Sequence, residues 1–148
     1  MQLEKEIHSR FRNEKHKAGV NIIFTGNWFS SIVAGILKKH GITMQQYNIL
    51  RIIKGASPKP VSIKYIRERM LEKMSDVSRV VDKIKDKKWI ERKERVSDRR
   101  NVDITITSSG INKLNEIEGN IDSVDKVIET LNTEEIEQLN FFLDKLRG

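Results

Sequence analysis

With 148 residues, of which 37% are apolar, the chain has the length of one domain and enough apolar side chains for a modest core. It contains no Cys, which excludes disulfides, thiolate metal sites, cysteine nucleophiles and thiol-based redox sensing. The formal charge of +7 is unevenly spread, with a net +4 over residues 1–42, +8 over 43–110 and −5 over 111–148, so a polyanion is expected to meet the middle of the chain.

Acids and bases occur from Glu4 onward, and no stretch reads as approaching the roughly 20 apolar residues that cross a bilayer. The expectation is a soluble, cytoplasmic protein with no membrane partner. Between Ile22 and Leu37, apolar residues fall at helical spacing, notably Trp28, Ile32 and Ile36 with Phe29, Val33 and Leu37 beside them. This predicts a long first helix, weakened by about 1 kcal/mol at each of Gly19, Gly26 and Gly35 relative to Ala, and ended by Gly41. Thr43 with Gln46 three residues later forms a capping-box pattern before Tyr47, Ile49, Leu50, Ile52 and Ile53, giving a second helix to about Lys54. Residues 55–60 hold both prolines and read as a loop, Val61 starts a short strand, and Ser62 caps a third helix carrying Ile63, Ile66 and Met70.

After a turn near Leu71 to Met74, a fourth helix is expected from about Ser75. It gathers Val77, Val80, Val81 and Ile84 on one face and turns Ser75, Arg79, Asp82, Lys83 and Asp86 outward. Trp89 to Val96 and Val102 to Ile106 are β-capable runs separated by the polar Ser97-Asp98-Arg99-Arg100-Asn101, a hairpin pattern in which Val102, Ile104 and Ile106 share the buried face. Thr107, Ser108 and Ser109 offer caps for a long helix bearing Ile111, Leu114, Ile117, Ile121, Val124 and Ile128. Asn132-Thr133-Glu134-Glu135 starts a last helix whose Ile136, Leu139, Phe142, Leu143 and Leu146 are expected to face inward.

The middle of the chain thus reads helix, short strand, helix, turn, helix and basic-tipped hairpin, which is the order of a winged helix-turn-helix. The helix after the turn suits the major groove and the hairpin suits the adjacent minor groove. Arg99 and Arg100 beside Asp98 place guanidinium groups at the hairpin tip, with the carboxylate able to orient one of them, and Arg100 is the candidate inserted side chain.

Three segments carry a family resemblance. Gly41-Ile42-Thr43-Met44-Gln45-Gln46-Tyr47-Asn48-Ile49-Leu50 resembles an "LT-x-x-Q-x-x-x-L" opening of a second helix. Ser75-Asp76-Val77-Ser78-Arg79-Val80-Val81-Asp82-Lys83-Ile84 resembles a recognition helix, and Asp98-Arg99-Arg100 through Ile106-Thr107 with Gly110 resembles a wing of pattern "D-x-R, then LT-x-x-G". In this order and spacing they resemble the MarR family of winged helix-turn-helix transcription regulators over nearly the whole chain. The resemblance implies a mainly α fold with a small antiparallel β wing. Its DNA-binding lobe is expected at 43–107, with helical dimerisation regions at 1–40 and 108–148. Lys88 stands where the family commonly has Gly after the recognition helix. Either Lys88 is left-handed, at a cost on the order of 1 kcal/mol, or the helix exit is altered.

On this architecture Ser75, Ser78, Arg79 and Lys83 approach the major groove, with Arg79 aimed at a base edge and the others at phosphates, while Asp82 braces Arg79 or a wing residue. Lys83, Lys85, Lys87 and Lys88 form a phosphate field rather than a sequence reader. Two apolar stripes on the terminal helices imply a homodimer, and two-fold symmetry implies a pseudo-palindromic duplex site with half-sites roughly one helical turn apart. The family further implies a repressor released by a small effector. Trp28, Phe29 and Tyr47 read as core, so no effector residues are assigned. His8, His16 and His40 do not form a ligand motif, and neither cofactor nor metal is expected. Absence of a phosphate-binding glycine loop, a nucleophile elbow and a paired-histidine motif speaks against an enzyme. The competing readings are a non-specific architectural DNA binder and a protein-binding regulator on the same fold.

Overall fold

The computed structural model describes residues 2–8, 10–73, 75–95 and 98–148, with backbone alone at 95, 98–101 and 121–123. Its elements in chain order are α1 (Leu3–Ile7), α2 (Glu14–Lys39), α3 (Met44–Ala56), α4 (Ile63–Arg69), α5 (Val77–Asp86), β1 (Ile90–Arg95), β2 (Asp98–Ile106), α6 (Ser108–Ile128) and α7 (Thr133–Arg147).

Short polar side chains set most of the helix starts. Asn13 accepts from His16 N, Ser62 from Tyr65 N and Thr107 from Gly110 N. Thr43 with Gln46, and Asn132 with Glu135, complete reciprocal capping boxes. Each such cap contributes about 1 kcal/mol by satisfying amides that the helix itself leaves unpaired. The recognition helix is the exception. It begins at Val77, two residues later than the sequence suggests, and its N-cap Asp76 makes no side-chain cap bond, so Ser75 lies just outside the helix.

Two helices end alike. Gly41 (φ 65°) follows α2, with Ile42 N bonding Leu37 O and Gly41 N bonding Lys38 O. Lys88 (φ 60°) follows α5, with Trp89 N bonding Ile84 O and Lys88 N bonding Lys85 O. Both are Schellman terminations, and the second is built on a residue with a Cβ, the left-handed one of the two outcomes left open for Lys88. Lys88→Gly is therefore expected to raise folding stability by about 1 kcal/mol in urea denaturation; an unchanged or lower midpoint would show that the lysine carries no conformational cost.

The core lies where α3, α4, α5 and the hairpin converge under α6. Ile49, Leu50 and Ile53 of α3 meet Ile66, Val77, Val81, Ile84, Ile90 and Ile104, and Leu37, Leu114 and Ile117 close it from α2 and α6. The hairpin is antiparallel, with Ile90 opposite Ile106 and Arg92 opposite Ile104, and Val61 joins it through a bridge to Ile104. Strand β2 starts at Asp98, so the segment 98–101, expected as loop, belongs to the ladder, with Arg95 opposite Asp98. A register irregularity between Glu94 and Arg95 accommodates the extra residues.

Two expectations fail. Helix α7 buries none of its residues, and Leu139, Phe142 and Leu146, expected inward, are exposed together with Phe141. Helix α2 contains an 18-residue window that is long and apolar enough, by length and composition, to cross a membrane, contrary to the reading of the sequence, and it is almost entirely unburied within the chain. Twenty residues from Ala18 to Leu37 carry no Lys, Arg, Asp or Glu; uncharged Asn, Thr, Ser and Gly interrupt the run of apolar side chains and hide its overall hydropathy.

Candidate nucleic-acid interface

Helix α5 is strongly two-sided. Val77, Val81 and Ile84 are fully buried, while Ser78, Arg79, Asp82, Lys83 and Asp86 are exposed on the other side. Arg79 is largely in solvent and its guanidinium lies 3.5 Å from the Asp76 carboxylate, a loose pair that leaves its donors available.

Asp82 makes the tighter contact. Its Oδ1 accepts a hydrogen bond of 2.7 Å from Arg92 Nη1 on β1. The wing, rather than Arg79, is thus its partner, and recognition helix and hairpin are joined by a charge-assisted bond as well as by the shared core. Sequence spacing alone could not choose between the two arginines, because that choice depends on where the hairpin folds back. Arg67 and Lys73 were missed altogether. With Glu68, Met70 and Ser75 they line an open hollow of about 420 Å³ where α4 turns toward α5, adding positive charge beside the helix that carries Arg79. Asp98, Arg99 and Arg100 occupy the start of β2, next to the hairpin turn; their side chains lie outside the described residues.

A second cluster ties the exit of α5 to the outer helices. Trp89 has Lys87 Nζ 4.6 Å and Lys113 Nζ 5.9 Å from its ring centroid. Lys87 also donates to Gly41 O at 2.7 Å. Lys113 bonds Glu116 at 2.9 Å, and Glu116 bonds His40 at the end of α2 at 2.8 Å. The His40 and Lys113 contacts hold the Glu116 carboxyl below its ordinary value of 4.5. A depressed folded-state value contributes stability that is present above the unfolded value and lost as pH falls through the folded one. Glu116→Gln is therefore expected to flatten the loss of stability below about pH 4.5, read as the change in urea midpoint between pH 6 and pH 3.5. A variant whose acid profile matches that of the parent would refute this role.

Comparison with known proteins gives the same architecture. Residues 40–101 match the MarR family model, a segment running from the end of α2 through the start of β2. The HTH-type transcriptional regulator MhqR of Bacillus subtilis (strain 168) is 28% identical over 111 residues, covering 74% of this chain and 75% of that protein. Over these segments the chain is similar to MarR-family proteins. A mutant MarR from E. coli complexed with operator DNA superposes with a TM-score of 0.81 at 20% identity, covering 95% of this chain and all of that one. The S. aureus MepR–DNA complex gives 0.77 at 21% identity, covering 86% and 94%. At these identities the superpositions establish the fold, including the outer helices that the family model does not reach. The mainly α winged helix-turn-helix read from the sequence is therefore correct, with α5 as the helix after the turn and β1–β2 as the wing.

Proposed function

We propose that this chain is a MarR-family transcription regulator and binds a specific duplex site as a homodimer, with residues 43–107 as the DNA-binding lobe and residues 1–40 and 108–148 as the dimerisation region. The observation that carries this reading is the 2.7 Å bond between Asp82 and Arg92, which makes the recognition helix and the wing one surface. On that surface Arg79 reads a base edge in the major groove; Ser75, Ser78 and Lys83 meet phosphates. Arg100 enters the minor groove, accompanied by Arg99 and oriented by Asp98. Arg67 and Lys73 extend the positive field on the α4 side.

The dimer is supported by what the single chain leaves uncovered. Ile22, Ile23 and Trp28 on α2, and Leu139, Phe141, Phe142 and Leu146 on α7, are exposed large apolar residues at opposite ends of the sequence. A second copy buries both sets under one two-fold axis and supplies the pseudo-palindrome with a matching symmetry. It also accounts for the apolar α2 without a membrane, so the cytoplasm is the compartment of this reading. We further propose that the protein represses transcription and is released by a small effector.

Selection of bound duplexes from a random pool tests the proposal. A pseudo-palindrome with half-sites roughly one helical turn apart is expected. Uniform enrichment would indicate an architectural binder, and no enrichment a protein-binding regulator. Lys83→Ala is expected to weaken binding about equally on all sequences and to reduce the slope of log affinity against log salt by about 1; an effect confined to one operator position would instead make Lys83 a base reader.

A further inference from the structure

The segment that carries the chain from α4 to α5 is held from outside itself. Met70, which ends α4 with extended backbone (φ −61°, ψ 136°), is buried, but Leu71 is 88% exposed and Glu72, Lys73, Ser75 and Asp76 are exposed as well. Among the described residues, no backbone-to-backbone hydrogen bond fixes Leu71, Glu72, Lys73 or Ser75. Asp76, at the N-cap of α5, makes no cap bond; its carboxylate stands 3.5 Å from Arg79 instead. Two side chains one turn apart on α3 supply what the segment lacks. Asn48 Oδ1 accepts from Leu71 N at 3.0 Å, and Gln45 Nε2 donates to Glu72 Oε2 at 3.2 Å. Asn48 is half-buried and grips backbone, whereas Gln45 and Glu72 meet through two long side chains that must both be ordered, so Asn48 is the firmer hold.

We propose that Asn48 is a positioning residue for sequence recognition: by holding the amide of Leu71 it fixes where the first turn of α5 begins, and through that turn the place of Arg79. The inference rests on the duplex binding proposed above. Val77, Val81 and Ile84 decide which side of α5 turns to the core, but apolar burial is non-directional and tolerates small slides along the helix axis. A hydrogen bond to a backbone amide is directional and resists them. Base edges are met by the N-terminal residues of a recognition helix, and Arg79 is the third residue of α5, so a displaced helix start is passed directly to it.

The ratio of affinities for the selected duplex and for a scrambled one of equal length, at fixed salt, isolates this role, because a loss of folded protein or a change of charge lowers both alike. Asn48→Ala is expected to lower that ratio about tenfold, the size of one mismatched base pair. Asn48→Asp keeps an acceptor in the same place and is expected to restore the parent ratio. In the full chain without DNA, hydrogen exchange at the Leu71 amide is expected to be slowed in the parent and in Asn48→Asp, and faster in Asn48→Ala. An unchanged ratio in Asn48→Ala, an equal loss in Asn48→Asp, or a parent Leu71 amide that exchanges as fast as in an unfolded chain would overturn the assignment and leave the proposed duplex binding intact. A parent chain with no preference among duplexes would defeat that binding and this assignment together. Exchange in the parent needs no variant, so the bond is tested even if Asn48→Ala fails to fold.

Discussion

Gly110→Ala is expected to lower folding stability by about 3 kcal/mol, measured as a shift in urea midpoint at constant slope. A methyl group built on Gly110 would stand 2.2 Å from Trp89 O and 2.9 Å from Ile106 Cγ1. The first contact is with backbone, and that carbonyl is fixed because it accepts from Thr107 N at 3.0 Å. Thr107 Oγ1 meanwhile donates to Lys88 O at 2.8 Å. Neither α6 nor the β1 start can retreat without breaking these bonds or opening the core at Leu114 and Ile117. The ordinary gain of about 1 kcal/mol for Ala over Gly in a helix is too small to offset an overlap of that size. A neutral or stabilising Gly110→Ala would mean that α6 sits farther from the wing base than described.

The second large effect concerns binding. Arg100→Ala is expected to weaken operator affinity by about 1 to 3 kcal/mol, roughly five- to 150-fold, at fixed salt, while sedimentation still reports the proposed dimer. The wing reaches DNA only if the hairpin is held at a defined angle to α5, and Asp82–Arg92 provides that hold. Unchanged affinity in Arg100→Ala would remove the wing from the interface and leave Arg79 and its neighbours as the only readers. The fold would be unaffected by that outcome, since the core lies under the base of the hairpin and not at its tip.

Local signals in the sequence were sufficient for most elements of this fold. Thr43 with Gln46, Ser62, Thr107 and Asn132 are side chains whose cap bonds span three residues, so their partners are visible in the sequence itself. A left-handed Lys88 was one of two outcomes left open by the resemblance that places Gly there, and the structure takes that one. Contacts between distant elements were not legible. The choice of Arg92 by Asp82, the link from His40 to Glu116 across 76 residues, and the closeness of Gly110 to Trp89 all follow from how the wing and α6 return to the core. The inward face assigned to α7 failed because amphipathic periodicity states that one side avoids water without stating which chain covers it. The membrane-like window in α2 was overlooked because Gly, Asn, Ser and Thr dilute the apolar count without adding charge.

Trp89, bracketed by Lys87 and Lys113 and reached from His40 through Glu116, gives the last turn of α5 a mechanical attachment to both outer helices. Linkage theory makes such an attachment two-way: whatever free energy a tilt of α2 or α6 imposes on the seating of α5, the seating of α5 imposes equally on that tilt. On the proposed function, occupancy of the duplex site should consequently tighten or loosen the arms by the same increment with which the arms bias that occupancy, and double-mutant cycles between His40 and Arg79 would measure it from either end.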